Sequence, residues 1–363
     1  MAPPARGAAP RGPIQWSGGA HFSYALRLRH RTTVNIQGKS CHMPLASAFH
    51  ILHMLRPLHG VEPGAGTPLW LRWNLDPVLL LGIALFAAAY LYGIGPYRRQ
   101  RGLPPVSGWR VAAFDAGTIV FALALISPLD AISDDYLFSA HMIQHMLIAL
   151  VAPPLWLLGT PGWLLEPLFR RPAVARAARL LTNPIVAFAL FNGDLWLWHI
   201  PPLYDATLRS EAVHIFEHLT FVGTAVLFWW AVLSPVRAVP RIAPGFGVLY
   251  LFIACQPMVA LGALLTFASV PLYQPYVDAP GLWGSTPLGD QQLGGLIMWL
   301  PSTAPYLIGA SILFFRWVGI QDRAERAAAG EFDEPRPEPA APPRALEPNR
   351  DATVSEGGVV SPR

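Results

Sequence analysis

Histidine recurs twice in this chain with one spacing: His141-Met-Ile-Gln-His145 and His214-Ile-Phe-Glu-His218 both read H-x-x-[Q/E]-H. Residues four apart on an α-helix share a face, so each pair can present two imidazoles to one ion. Both pentapeptides lie near the start of a long apolar run. Two such pairs on facing helices would make a nitrogen-rich metal site inside a lipid-embedded bundle. Gln144 and Glu217 follow the first histidine of each pair by three residues and are candidates to orient imidazoles by hydrogen bonding. A satisfied polar network between helices is the bland alternative. Two pairs at matched depth weigh against it.

The elements that must position these residues are membrane helices. Hydrophobic residues make up 53% of the 363-residue chain and charged residues 13%, and mean hydropathy is +0.37. A soluble domain carries about twice that charged fraction. Seven apolar runs predict an all-α polytopic protein with seven transmembrane helices: Leu75–Gly95, Val111–Leu129, Tyr136–Leu158, Pro184–His199, Val213–Leu233, Gly245–Val270 and Gln291–Trp317. The fourth run is the shortest; about 20 residues are needed to cross a bilayer. Residues 1–70 form a separate N-terminal stretch with six of the eleven histidines. It is read as an extension without a signal-peptide apolar core, and one reading puts the true start downstream, at Met43 or Met54. Residues 321–363, rich in Pro, Ala, Glu and Arg, are expected to be a disordered cytoplasmic tail.

All five remaining histidines then fall at one level. His141, His145, His214 and His218 open helices three and five, and His199 closes helix four in Trp198-His199-Ile-Pro201. Asp290 opens helix seven at that level, with Met298 about two turns deeper at ~1.5 Å per residue. Polar groups in a bilayer usually face the bundle interior. A histidine at a helix end is also a common interfacial anchor, and Met142, Met146 and Met258 are ordinary packing residues. Asp194 sits within the fourth apolar run without an evident partner.

Imidazole suits zinc, copper, iron and nickel, and a nearby thioether such as Met298 favours cuprous copper. Haem is an alternative, since facing helices can ligate its iron; paired imidazoles on one helix suit a compact chelate better. His214–His218 formally matches the H-x-x-E-H inverzincin pattern, but its twin lacks the carboxylate. A membrane metalloenzyme would need bridging carboxylates, for which Glu217 and Asp290 are the evident candidates. Cys41 and Cys255 form no C-x-x-C, which argues against a thiol-based carrier. The positive net charge reflects arginines at the inner membrane surface and is no argument for nucleic acid.

Several blocks in order resemble a family: Ser127-Pro-Leu-Asp130, Ser139-Ala-His141-Met-Ile-Gln-His145 and Leu158-Gly-Thr-Pro161; then Trp198-His199-Ile-Pro201-Pro-Leu-Tyr204-Asp205, His214-Ile-Phe-Glu217-His218 and Asp290-Gln-Gln-Leu-Gly294-Gly-Leu-Ile-Met298. Over about residues 75–320 the chain is similar to the CtaG family of cytochrome c oxidase assembly factors, the polytopic Bacillus type, distinct from the single-span copper chaperone of the same name. The resemblance implies a seven-helix protein of the bacterial plasma membrane that acts on cytochrome c oxidase subunits at a copper-insertion step. Its motifs fall on His141, His145, His199, His214, His218, Asp290 and Met298. The expected role is non-catalytic, with copper taken from a periplasmic donor.

Loop charge predicts the orientation. Arg98, Arg99, Arg101 and Arg110 link runs one and two; Arg170, Arg171, Arg176 and Arg179 link three and four; Arg237 and Arg241 link five and six; Arg316 closes run seven, and Arg323 and Arg326 follow it. The alternate loops are acidic or nearly neutral. The positive-inside rule therefore sets the C-terminus in the cytoplasm and the N-terminus outside. A reporter fused after Trp317 should be active only in the cytoplasm, and one in the Pro271–Gly289 loop only outside. The reverse pattern would move the histidines to the inner leaflet.

Overall fold

The computed structural model describes residues 68–329. The N-terminal extension and most of the expected tail lie outside them. Every regular element among the described residues is helical. In chain order they are α1 (Pro77–Gln100), α2 (Gly108–Ile126), α3 (Pro128–Asp135), α4 (Phe138–Gly159), α5 (Gly162–Phe169), α6 (Pro172–Leu181), α7 (Pro184–Trp198), α8 (Pro201–Arg209), α9 (Glu211–Leu233), α10 (Pro244–Thr266), α11 (Gln274–Asp278), α12 (Pro287–Trp299) and α13 (Thr303–Ala328).

Among the described residues, six spans are long and apolar enough to cross a bilayer: α1, α2, α4, α9, α10 and the nearly continuous α12–α13. A seventh exists only if α6 and α7, bent by 65° at their junction, count as one span. The cause of that break is local. Asn183 caps α7, its side chain accepting from the Ile185 amide at 3.0 Å, and Pro184 takes the first helical position, where its missing N–H costs nothing. The 15 residues of α7 reach ~22 Å at 1.5 Å rise, short of a ~30 Å hydrocarbon core. Pro301 likewise breaks the last span between α12 and α13. The chain stays helical past Trp317 to Ala328, so the last helix extends over residues 321–328 of the expected tail. Gln-Asp-Arg-Ala-Glu-Arg-Ala-Ala is strong helix-forming sequence attached to a helix already nucleated.

α4 is the central element. It packs on α2, α3, α9 and α12, and a π-helical turn at Leu147–Val151 interrupts it just before Pro153 and Pro154, where regular amide pairing is lost. The main core joins Phe191, Phe228, Leu251 and Ala254 from α7, α9 and α10. The outward faces remain apolar: Ile185, Phe246, Phe252, Phe267 and Phe315 are exposed, as lipid-facing residues are. At one end, the Arg241 guanidinium is lowered from its usual range by burial and then by the charges of Arg316 and Arg110. Three arginines, one from a loop and two from helices, therefore gather at one end of the bundle.

α10 and α12 touch backbone to backbone. A Cβ on Gly295 would lie 2.6 Å from the Thr266 nitrogen and 2.8 Å from the Gly262 oxygen, neither of which can move aside. Gly295→Ala should therefore force the helices apart and cost about 1–3 kcal/mol as overpacking, read as a lower melting temperature in detergent. Gly82→Ala meets nothing within 4 Å and should melt no earlier than the wild type.

Candidate metal centre

The N-terminal turns of α4 and α9 lie side by side. Ring centroids of His141 and His145 are 4.3 Å apart, those of His214 and His218 4.3 Å, and across the helices His145 and His218 are 5.0 Å apart and His141 and His214 5.6 Å. One ligand atom each from His141, His145, His214 and Glu217 falls within 4.8 Å of all the others. The two pentapeptides therefore do converge.

Each ring's chemistry follows from what its far nitrogen meets. His141 Nδ1 lies 3.2 Å from the Tyr276 hydroxyl and 3.9 Å from Asp134. Tyr276 donates its proton to the Ser133 carbonyl at 2.7 Å, so its oxygen is free to accept from the imidazole. Burial keeps that phenol's pKa well above its ordinary value, so it remains a donor. His214 Nδ1 faces the other Asp134 oxygen at 3.5 Å, and His199 Nδ1 bonds the Leu195 carbonyl at 2.7 Å. With Nδ1 protonated in all three, the lone pair sits on Nε2. Those three Nε2 atoms, His218 Nε2, both nitrogens of His145 and Oε2 of Glu217 are all buried without a hydrogen-bond partner. Buried polar atoms are ordinarily paired. An array of unpartnered imidazole nitrogens, three of them with the opposite nitrogen held by a phenol, a carboxylate or a carbonyl, is the arrangement that histidines bound to a metal ion usually have. The residues fit such an ion.

The other expected residues are placed less uniformly. Glu217 is 1% exposed and contributes to the cluster itself. Gln144 is equally buried but turns the other way: its amide donates to the Ala124 carbonyl and to Asp130, at 3.0 and 2.8 Å, and accepts from Ser133 at 3.0 Å. It ties α4 to α2 and α3. Burial, with Asp134's charge nearby, raises the Asp130 carboxyl above its usual range. Asp290 contacts no histidine ring through its hydrogen bonds. Its carboxylate accepts from the Phe138 amide at 2.6 Å, the Ser139 amide at 3.3 Å and the Ser139 hydroxyl. It thus caps α4, whose own N-cap position, Leu137, supplies no side-chain bond. His199 and Met298 line a small cavity on the inner side of His145. Asp194 has partners after all, accepting from Trp198 Nε1 at 3.1 Å and Thr224 at 3.2 Å between α7 and α9.

Asp134 and Tyr276 are absent from the sequence reading. Both come from loop helices, α3 and α11, that fold over the histidine end, together with Tyr204 from α8. Tyr204 stacks towards Tyr273 with centroids 4.1 Å apart, and Tyr273 bonds the His199 carbonyl at 3.2 Å. The acidic loop counted only as a topology signal. Its aspartate seven residues before His141 was the available clue.

Helices this apolar around a buried imidazole cluster define a polytopic membrane protein with a histidine-carboxylate cluster that could hold a metal ion at one end of its bundle. The chain belongs to the cytochrome c oxidase caa3 assembly factor family (Caa3_CtaG), whose model matches residues 88–319. It is 28% identical over 278 residues to an uncharacterized protein of Mycobacterium bovis and equally to one of Mycobacterium tuberculosis, covering 72% of this chain and 41% of each relative. An uncharacterized protein of Mycobacterium leprae is 25% identical over 270 residues, covering 68% of this chain and 39% of the relative. The chain thus spans about two fifths of the length of these curated relatives. No solved structure matches it.

Two aspartates near the site should behave differently. Asp134→Asn keeps shape but loses the charge facing two imidazoles, and should weaken metal binding about 10–100-fold with little change in melting. Asp290→Ala strips the cap from α4 and should cost on the order of 1–3 kcal/mol of stability. Copper titration and thermal melts of the two purified variants separate the roles.

Proposed function

We propose that this protein serves cytochrome c oxidase assembly by accepting copper at the outer face of the bacterial plasma membrane and handing it to an oxidase subunit. The observation that carries the reading is the set of buried Nε2 atoms without partners at one end of the bundle. Imidazole is a good ligand for copper, and the donor of the ion would be a periplasmic copper protein. The N-terminus outside and the C-terminus in the cytoplasm, as loop charge favours, would open the cluster to that side.

Copper is cargo here. His141, His145, His214 and Glu217, whose ligand atoms lie within 4.8 Å of one another, would hold it together with the adjoining His218, and Asp134 and Tyr276 would keep the rings aimed. More nitrogens than one ion needs allow stepwise exchange, one bond forming as another breaks, which suits transfer better than a closed cage. Rings packed 4.3–6.5 Å apart favour a compact ion over a haem, which needs a slot for its macrocycle. One observation favours a second reading: the buried, unpartnered Glu217 oxygen could act as the base of a membrane metalloenzyme.

Glu217→Gln separates the two. A passive carrier should keep much of its assembly activity when copper is supplied in excess, because the ligand set is largely intact, while His218→Ala should lose most of it. A general base would take with it a factor up to ~10⁴ that added copper does not restore. Oxidase activity in cells, with the level of inserted protein as control, reads both. Failure of copper to rescue a stably inserted Glu217→Gln variant would replace the carrier with the enzyme.

A further inference from the structure

Beside the imidazole cluster, towards the middle of the bundle, lies a cavity of about 20 Å³. A single water needs roughly 10–15 Å³ by the same measure, so it has room for one small ion. Its wall includes Met142, His145, Met146, His199, Met258 and Met298, brought from α4, the end of α7, α10 and α12. Four thioethers around one small void are unusual chemistry for a helix bundle. Methionine fills irregular gaps in cores, and packing alone would explain four of them in contact. It would not bring to the same wall His199, whose Nε2 has no partner, and His145, with neither nitrogen paired. Both rings are at least nine-tenths buried.

We infer that this chamber is a second metal subsite, thioether-rich and selective for cuprous copper, with His145 shared between it and the imidazole cluster. The inference rests on the copper-handover reading and adds the oxidation state and a route. Thioether sulfur is a soft donor that prefers Cu(I) over Zn(II) and Cu(II), whereas the cluster of imidazoles with Glu217 takes borderline ions as well. An ion held by His145 can exchange its other nitrogen ligands for Met142, Met258 or Met298 sulfur and His199 Nε2. Each step replaces one metal–ligand bond by another. The ion remains Cu(I), no electron moves, and no proton is released because every donor is neutral.

The test uses the full chain in detergent, with Cu(I) kept reduced by ascorbate and competed against a chromophoric Cu(I) chelator, Zn(II) titrated in parallel, and X-ray absorption on the copper-loaded protein. The variant Met142→Leu/Met258→Leu/Met298→Leu is close to volume-conserving. It should lose most of its sulfur scattering and weaken Cu(I) binding by more than about 100-fold, beyond the 10–100-fold a supporting residue alone gives, and leave Zn(II) binding unchanged. His199→Ala, which leaves the methionines in place, should also weaken Cu(I) and spare Zn(II). His214→Ala/His218→Ala should do the converse, losing Zn(II) while Cu(I) keeps its sulfur scattering. Copper bound by the wild type without sulfur scattering, or with affinity unchanged by the Met and His199 variants, overturns the subsite and leaves the handover reading standing. A wild-type protein that binds no Cu(I) at all overturns both.

Discussion

Burying imidazole among apolar helices is costly unless its nitrogens are paired. Here the cost is half met by design of the surroundings: on His141, His199 and His214 one nitrogen of each ring finds a phenol, a carboxylate or a carbonyl, and the other is left bare. That division fixes the tautomer and aims the lone pairs at common ground. Much of the fold at this end serves it. α3 brings Asp134, α11 brings Tyr276, and α8 brings Tyr204 over the rings, while Gln144 holds α4 against α2 and α3 from behind.

The rigidity needed to hold unpaired atoms in place comes from close backbone approach. α10 and α12 meet at Gly262 and Gly295 without intervening side chains, and α12 in turn packs on the first half of α4. This chain of contacts carries Met258 and Met298 to the cavity beside His145. The sharp bend lies elsewhere, at Asn183-Pro184, and the π-helical turn of α4 begins only at Leu147, so the first two turns of α4 and α9 that bear the histidines remain regular helix.

The spans and the histidine pairs were legible because each depends on local periodicity: runs of apolar residues for the bilayer and a spacing of four for one helix face. The structure moves most of the span boundaries by only a few residues. What depended on tertiary placement was not legible. Gln144 and Glu217 hold equivalent places in twin motifs, yet one turns towards α2 and α3 and the other into the cluster, because the Gln144 side of α4 packs on α2 and α3 while α9 presents Glu217 to the histidines. Asp290 sits at the right depth to serve the metal centre but is spent on a helix end more than a hundred residues earlier in the chain. Asp134 and Tyr276 reach His141 from separate loops, and no spacing in the sequence links them. The fourth span was recognisable as short, but its bend rests on a cap whose direction only the packed neighbours set.

The cap on α4 comes from the last span. Asp290 supplies what Leu137 cannot, so the third apolar helix has an incomplete N-terminus until the final one has been synthesised, inserted and docked. The histidines of α4 hang from that terminus. The ligand array is thereby coupled to completion of the chain: a nascent or truncated protein, though already threaded through the membrane, would present its imidazoles on a frayed helix. The shape of the imidazole cluster thus depends on a contact that only the last span can supply.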